Sequence, residues 1–172
     1  MAKTTLIPVS DIFVTSGIPE FTFVAPVVYT RLVNALSQRA GGVVVEGPSG
    51  IGKTVAVARA VEEIGDSLGL VTTLSARDPK HRAEIERVAA ETPDGTWIIE
   101  DFHRLTTKNR AAFANAIKFL ADQREPNCKI VLVGINNAGQ SLLHGASAWI
   151  HRFGGWWSVR SGSQNDLLSR DF

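Results

Sequence analysis

Short runs of apolar residues are spread along the chain and are separated by longer stretches of mixed polarity. The runs lie at 42–46, 69–74, 97–101, 129–134 and 156–159. Runs of this length, rich in β-branched residues, are typical of buried strands in a parallel sheet. The pattern therefore predicts five strands, the last of them rich in aromatic residues.

Helical spacing of apolar residues fills most of the intervals between the predicted strands. After residue 54, Val57, Val61, Ile64 and Leu68 follow one another at spacings of four, three and four. That spacing places them on one face of a helix. Similar patterns predict helices after Pro26, at 81–90, around 113–120 and at 141–150. The alternation of strands and helices predicts an α/β domain with a parallel sheet.

Residues 47–54 read Gly-Pro-Ser-Gly-Ile-Gly-Lys-Thr and match G-x-x-x-x-G-K-[ST]. Glycines let backbone N–H groups surround phosphate oxygens, and the following helix adds a partial positive charge. We expect Lys53 to reach the β- and γ-phosphates of ATP and Thr54 to bind Mg²⁺. A chance glycine-rich turn is the alternative, but a predicted strand precedes the motif and a predicted helix follows it. The predicted nucleotide-binding residues are Gly47, Pro48, Ser49, Gly50, Ile51, Gly52, Lys53, Thr54 and Val55.

Two acidic residues, Glu100 and Asp101, end the apolar run at 97–101. In sheets of this kind the carboxyl ends of the strands lie beside the phosphate loop. One carboxylate there can hold Mg²⁺ through water, and a neighbouring one can orient or deprotonate the attacking water. The sequence leaves open which acid does which, so both are candidate catalytic residues and, with Thr54, candidate metal ligands. The alternative is that both acids cap the next helix.

Asn136 follows the predicted strand at 129–134. An amide at the end of that strand would lie between the γ-phosphate and the two acids, so Asn136 is a candidate for contacting this phosphate. A capping role for the next helix suits Asn137 better.

The composition limits the classes of function. The chain has 172 residues, enough for one domain, and 44% of them are hydrophobic, which suffices for a core. A net charge of +1 leaves nucleic-acid binding possible but unsupported, although Lys108, Arg110, Lys118 and Arg124 share a basic helix face. No apolar run approaches the length of about 18 residues that a membrane helix needs. The single Cys128 is predicted to be a buried thiol in a reducing compartment, and no signal peptide is apparent, so we expect a cytoplasmic protein.

Taken in their order along the chain, the phosphate loop, the two acids and the polar end of the next strand resemble the AAA+ ATPase core. The resemblance is strongest to the branch shared by replication initiators, transposition helpers and STAND proteins. The resemblance covers residues 17–168 and includes Ile-Glu-Asp-Phe-His-Arg-Leu at 99–105. It implies a three-layer P-loop NTPase sandwich with a five-stranded parallel sheet in the order 5-1-4-3-2. It also implies a linker at 1–25, a core at 26–160 and the start of a lid at 161–172, with the helical lid largely absent.

The resemblance also implies roles for two further residues. Asn136 matches the first sensor of the family, and Arg152 matches the arginine finger that enters a neighbouring subunit's site, which implies a homo-oligomer on ATP binding. A surface arginine before a strand is the alternative for Arg152. The family has Asp then Glu where this chain has Glu100 then Asp101, and the shorter Asp101 predicts slow hydrolysis.

Three functions are compatible with this resemblance. The first is an ATPase that uses ATP and Mg²⁺ to couple assembly to the remodelling of a partner that the sequence does not identify. The second is a STAND-like switch that holds ADP or ATP with little turnover. The third is a small-molecule kinase, which the lack of an arginine-rich lid disfavours.

Overall fold

A computed structural model describes residues 23–38, 42–123 and 127–135 and the backbone of 157–160. Four α-helices lie in these ranges: α1 (Tyr29–Ser37), α2 (Lys53–Ile64), α3 (Arg82–Glu91) and α4 (Thr107–Asp122). The strands are β1 (Gly42–Glu46), β2 (Val71–Ser75), β3 (Gly95–Glu100), β4 (Cys128–Gly134) and β5 (Trp157–Arg160).

The strands form a parallel sheet in the order β2-β3-β4-β1-β5. The four strands whose side chains are described have the order 1-4-3-2 when read from β1, and the backbone of β5 pairs with the other side of β1. All seven residues of β4 are buried, because β4 lies between β1 and β3 with helices on both faces. The predicted α/β class with a parallel sheet is therefore confirmed.

Helices cover both faces of the sheet, and the pleat distributes apolar side chains between two cores. Val44 and Ile99 belong to the core under α3 and α4, whereas Val45 and Ile98 belong to the core under α1 and α2. Successive strand residues point to opposite faces, which explains why continuous apolar runs are needed here. The largest fully buried side chains in the first core are Phe102 and Phe113, whose rings meet edge to face at 5.9 Å.

The predicted boundaries need three corrections. The helix after residue 54 ends at Ile64 and does not reach Leu68, because Gly65 has a positive φ of 64°. The second strand starts at Val71, two residues later than predicted, and the third ends before Asp101. The predicted helix at 141–150 and the lid at 161–172 lie outside the described residues, and the domain boundaries stay predictions.

Cys128 is buried with 2% of its surface exposed, and burial raises the pKa of its thiol to about 11. The prediction of a buried thiol is confirmed, and a thiol so hard to ionise is a weak nucleophile at neutral pH. In the part of the chain that the structure describes, the helices are too short or too polar to cross a membrane.

Candidate functional site

The loop at 47–52 connects the buried strand β1 to the first turn of α2. Gly50 and Gly52 have positive φ angles of 78° and 86°, a conformation that residues with a Cβ adopt at a cost. Gly52, the N-cap residue of α2, has no side chain to cap this helix. The N–H groups of a helix's first turn have no partner within the helix, so this turn presents donors and a partial positive charge to the loop.

Lys53, the first residue of α2, folds back over the loop. Its Nζ donates to the carbonyl oxygens of Gly47 at 3.0 Å and Pro48 at 2.6 Å. Burial lowers the pKa of Lys53, and the Asp101 carboxylate partly opposes that shift. The acid after β3 is thus close enough to act electrostatically on the lysine of the loop, and the fold brings the two sequence motifs together.

Asp101 stands at the sharp turn after β3, with a φ of 54°. Its Oδ2 lies 2.7 Å from Arg77 Nε and accepts a hydrogen bond from Ser75 Oγ at 3.4 Å. Its side chain makes no capping hydrogen bond to the short 3-10 helix Phe102–Arg104, and α4 is capped instead by Thr106, whose Oγ1 accepts from Asn109 N. The capping alternative is therefore wrong for Asp101.

Glu100 is the last residue of β3 and is partly buried. It lies on the same face of the sheet as Ile98, two residues earlier in the strand, and Ile98 packs in the core under α1 and α2. Because alternate strand residues share a face, the Glu100 side chain leaves the sheet on the side of the loop helix. Asp101, in contrast, is tied to Arg77 and Ser75 beyond the end of β2.

Comparisons with known proteins support the fold. No protein-family model matches the sequence, and no curated protein matches it. Orc2 from Aeropyrum pernix, solved in an ADP form, has a TM-score of 0.52 and 13% identity, covering 88% of this chain and 52% of that one. This chain therefore shares the fold of Orc2.

Two further solved structures are similar at lower scores. The P-loop NTPase domain of a sigma-54 transport activator from E. coli has a TM-score of 0.48 and 15% identity, covering 80% of this chain and 94% of that one. A RuvB variant from Thermotoga maritima has a TM-score of 0.48 and 20% identity, covering 77% of this chain and 44% of that one. This chain spans 52% of the Orc2 chain and 44% of the RuvB chain.

Other polar groups lie near Asp101, and sequence reasoning missed most of them. His81 Nδ1 accepts a hydrogen bond from Ser75 N at 3.0 Å, which fixes the turn after β2. Burial lowers the pKa of His103, which lies in the 3-10 turn between β3 and α4, and its Nδ1 is buried without a hydrogen-bond partner among the described residues. The signal for Ser75 and Arg77 was their place at the end of β2 and two residues beyond it, since β2 is adjacent to β3.

The donor set suits Mg²⁺ bound together with a nucleotide. No group of three His, Cys, Asp or Glu side chains gathers as a metal site within the described ranges. One hydroxyl, from Thr54, and two carboxylates are available, and Mg²⁺ characteristically takes one or two carboxylates and completes its shell with water and phosphate oxygens. Asn136 and Arg152 lie outside the described residues, so their roles stay predictions. Glu46 in β1 pairs with Gly134 in β4, so the chain leaves β4 level with the start of the loop.

Proposed function

We propose that this chain is an ATPase module that binds Mg-ATP at residues 47–55 and hydrolyses it, coupling nucleotide state to assembly and to the remodelling of a partner. The observation that carries the proposal is the geometry of the loop, in which Gly50 and Gly52 have positive φ angles, Gly52 leaves the N-terminus of α2 without a side-chain cap, and Lys53 folds over the carbonyl oxygens of Gly47 and Pro48, while parallel pairing brings the ends of β1, β4 and β3 to the same edge. It supports a single site in which the phosphate loop and the acids act on one nucleotide.

The loop residues bind and orient in this proposal. Lys53 exchanges the carbonyl oxygens of Gly47 and Pro48 for phosphate oxygens, since an ammonium binds an anion more strongly than it binds a neutral carbonyl. The N–H groups at the start of α2 supply further donors. Bound Mg²⁺ supplies positive charge that neutralises the transferring phosphoryl group.

The placement of the two acids supports a division of labour between them. Glu100 leaves the sheet on the side of α2, where Thr54 lies, so we assign Mg²⁺ to Thr54 and Glu100. Asp101 is assigned to the attacking water, whose proton its carboxylate can accept. In this assignment the metal ligand precedes the base along the chain, as in the AAA+ family that the sequence resembles. The residue types are exchanged, because that family has Asp then Glu at these two positions.

Asn136 and Arg152 complete the proposed site by resemblance. Asn136 is assigned to the γ-phosphate, and Arg152 is assigned to the site of a neighbouring copy, where an arginine stabilises charge on the transferring group. Assembly on ATP binding would then be a condition for turnover. The free, buried Cys128 fits a reducing compartment, and we infer a cytoplasmic location.

A second function, a nucleotide-held switch with little turnover, is favoured by one observation. The carboxylate assigned to the water is already paired with Arg77 at 2.7 Å. Arg77 occupies the same carboxylate oxygen, Oδ2, that accepts from Ser75, so an attacking water would have to compete with the guanidinium for this side chain. In this alternative, ATP or ADP sets the conformation and hydrolysis is incidental.

Two measurements on the purified chain separate these functions. Steady-state release of phosphate from Mg-ATP counts turnovers, and chromatography of the denatured protein counts retained nucleotide. Many turnovers support the ATPase, whereas retained nucleotide with negligible turnover supports the switch. If neither Mg-ATP nor Mg-ADP binds, the site is wrongly assigned and both functions fail.

A further inference from the structure

A cleft of about 530 Å³ opens at the amino edge of the sheet, where β2, β3 and β4 begin. The end of α1 and the segment 67–70 before β2 line it as well. Its volume lies within the range of small-molecule sites, about 300–1,000 Å³. The phosphate loop follows the carboxyl end of β1, at the other end of the sheet, so this cleft is separate from the proposed ATP site.

Lys129 brings a charged group to the cleft. Only 6% of its surface is exposed, and its Nζ donates to the carbonyl oxygens of Ala35 and Gln38. An ammonium group has three N–H donors, so these two bonds leave one donor for a further acceptor. Among the residues that the structure describes, no carboxylate forms an ion pair with Nζ. Within the described part of the chain, Lys129 is therefore a buried cation without a counter-ion.

A buried cation of this kind is costly, because carbonyl oxygens replace only part of the hydration that it loses. Burial lowers the pKa of Lys129 to about 8, so at pH 7 the amine is still mostly protonated. A negative charge beside Nζ would offset the lost hydration and accept the remaining hydrogen bond. The cleft thus combines room for a small molecule with a cation that lacks an anion.

The other groups of the cleft limit the kind of anion that fits. Leu36, Leu68 and Leu70 line it, and Leu70 leaves 74% of its surface exposed there. These side chains suit a ligand with an apolar body. Asp94 lines the cleft too, and its carboxylate, after burial, raises the pKa of Cys128, the neighbour of Lys129. A fixed negative charge that acts on this region disfavours ligands with two or more negative charges.

From these observations we propose that the cleft binds a small organic monocarboxylate. Its carboxylate accepts a hydrogen bond from Lys129 Nζ, and its apolar body contacts the leucines that line the cleft. Lys129 keeps its two bonds to the end of α1, so binding does not require the fold to open. Inorganic phosphate and nucleotides carry more negative charge and are not expected to bind beside Asp94.

Benzoate is the probe, and saturation-transfer difference NMR on the full chain at pH 7 without nucleotide is the measurement. We expect saturable binding with a dissociation constant on the order of 1 mM, an ordinary value for a ligand of this size. Benzyl alcohol has the same ring without the charge. It is expected to bind at least about tenfold more weakly, because it cannot form a charge-assisted hydrogen bond between two ions.

The pH dependence tests the role of Lys129 in the native chain. The titratable groups that line the cleft among the described residues are Lys129, Cys128 and Asp94. Arg31 in α1 and Asp66 in the 3-10 helix before β2 are a guanidinium and a carboxyl group, which like Asp94 ordinarily titrate outside pH 7–9.5. The thiol of Cys128, with a pKa of about 11, stays neutral there, whereas Lys129 loses its proton above about pH 8. The affinity for benzoate should therefore fall about tenfold or more between pH 7 and pH 9.5, and that for benzyl alcohol should not change.

A substitution tests the same residue. Lys129→Met is expected to weaken benzoate binding at least about tenfold. Lys80→Met is the matched control, because it removes the same charge from an exposed position outside the cleft, and it should leave the affinity within about twofold. Circular dichroism and a thermal melt check that Lys129→Met is folded. If it is not, the pH series on the native chain decides.

Inorganic phosphate separates the cleft from the proposed ATP site, since the phosphate loop would bind it and the cleft would not. Saturating phosphate is expected to leave the benzoate signal unchanged. The proposal is overturned if benzoate does not bind, if phosphate displaces it, or if benzyl alcohol binds as tightly. It is also overturned if the affinity for benzoate is the same at pH 7 and pH 9.5 or in folded Lys129→Met. No step uses ATP, so failure of the proposed function leaves this result intact.

Discussion

At the amino edge of the sheet, Lys129 Nζ donates to the carbonyl oxygens of Ala35 and Gln38, at the end of α1. Thr96 Oγ1 donates to Leu68 O at 2.8 Å in the same region. Among the described residues of the carboxyl edge, Lys53 donates to loop carbonyls, and Asp101 pairs with an exposed arginine and accepts from a serine. The two edges of one sheet thus satisfy their polar groups in opposite ways.

This difference indicates which contacts stabilise the fold and which can be exchanged for contacts to a ligand. Buried polar groups must be paired by the protein itself, because leaving one unpaired costs about 1–3 kcal/mol. The amino edge meets that requirement with bonds between distant segments. At the carboxyl edge, bonds to loop carbonyls and an exposed ion pair can be exchanged for phosphate oxygens, water or metal at little cost. We therefore expect mutations at the first edge to change stability and mutations at the second to change activity.

The largest expected effect is that of Lys53→Ala at the carboxyl edge. Removing a cation from the phosphates should lower ATP turnover by about 100-fold or more. Because Lys53 is only partly buried, the free energy of unfolding should change by less than about 0.5 kcal/mol. Steady-state turnover and urea unfolding measure the two quantities, with Lys108→Ala as the control for lost charge. If Lys53→Ala hydrolyses ATP at the native rate, the assignment of the loop as the phosphate-binding site is wrong. If Lys53→Ala is unfolded, mutations at the carboxyl edge also change stability, and the proposed difference between the two edges is wrong.

Lys129 at the amino edge should give the chain a pH-dependent stability. Burial lowers the pKa of Lys129 from 10.5 to about 8. Between pH 8 and pH 10.5, the unfolded lysine holds a proton that the folded one has released. The unfolded state binds more protons there, so this residue's contribution to stability rises with pH across the window and is flat below it. The rise should be of the order of 3 kcal/mol.

Lys129→Met isolates that contribution, because other groups titrate in the same range. The difference in free energy of unfolding between the native chain and Lys129→Met, measured in urea at several pH values, should change across this window. Lys80→Met, at an exposed position, is the control and should give a constant difference. A constant difference for Lys129→Met as well would show that its amine keeps an ordinary pKa.

Gly95→Ala tests the backbone of the amino edge. Gly95 has a φ of 113°, and a Cβ there would stand 2.8 Å from the carbonyl oxygen of Leu70. We expect a loss of roughly 2 kcal/mol or more in the free energy of unfolding, from backbone strain and the contact together. Gly65→Ala shares a positive φ of 64° but meets no atom within 4 Å, so it should cost less. If both variants lose the same free energy of unfolding, the contact with the carbonyl oxygen of Leu70 does not contribute to the effect of Gly95→Ala.

Much of the carboxyl edge could be predicted from sequence, because its geometry is local or follows from topology. Residues 47–54 specify a loop between a strand and a helix, and parallel strands bring Glu100 and Asp101 to the same edge. The Arg77–Asp101 pair could not be predicted, since it depends on the positive φ at Asp101. The sequence predicts Lys129 only as the start of a strand, because its burial under the end of α1 depends on contacts between residues 94 and 91 positions apart.

The smallest expected effect is that of Arg77→Ala, and it decides whether the ion pair withholds the proposed base. The Arg77 side chain is 59% exposed, and exposed ion pairs are worth about 1 kcal/mol or less. If the pair keeps Asp101 from accepting a proton, its removal should raise turnover by up to about fivefold, the rate equivalent of that energy. Arg82→Ala, at an exposed neighbouring position that makes no ion pair with any described residue, should leave turnover unchanged.

Salt gives an independent measure of the same pair. Added salt screens exposed charges within a Debye length of about 10 Å at 0.1 M, so turnover of the native chain should rise with moderate salt while that of Arg77→Ala does not. A tenfold fall in Arg77→Ala, at any salt concentration, would mean that Arg77 positions Asp101 for the reaction. In that case the Arg77–Asp101 pair would be a fixed part of the site. Lys53 would then be the residue of the carboxyl edge whose contacts are exchanged for those of a ligand.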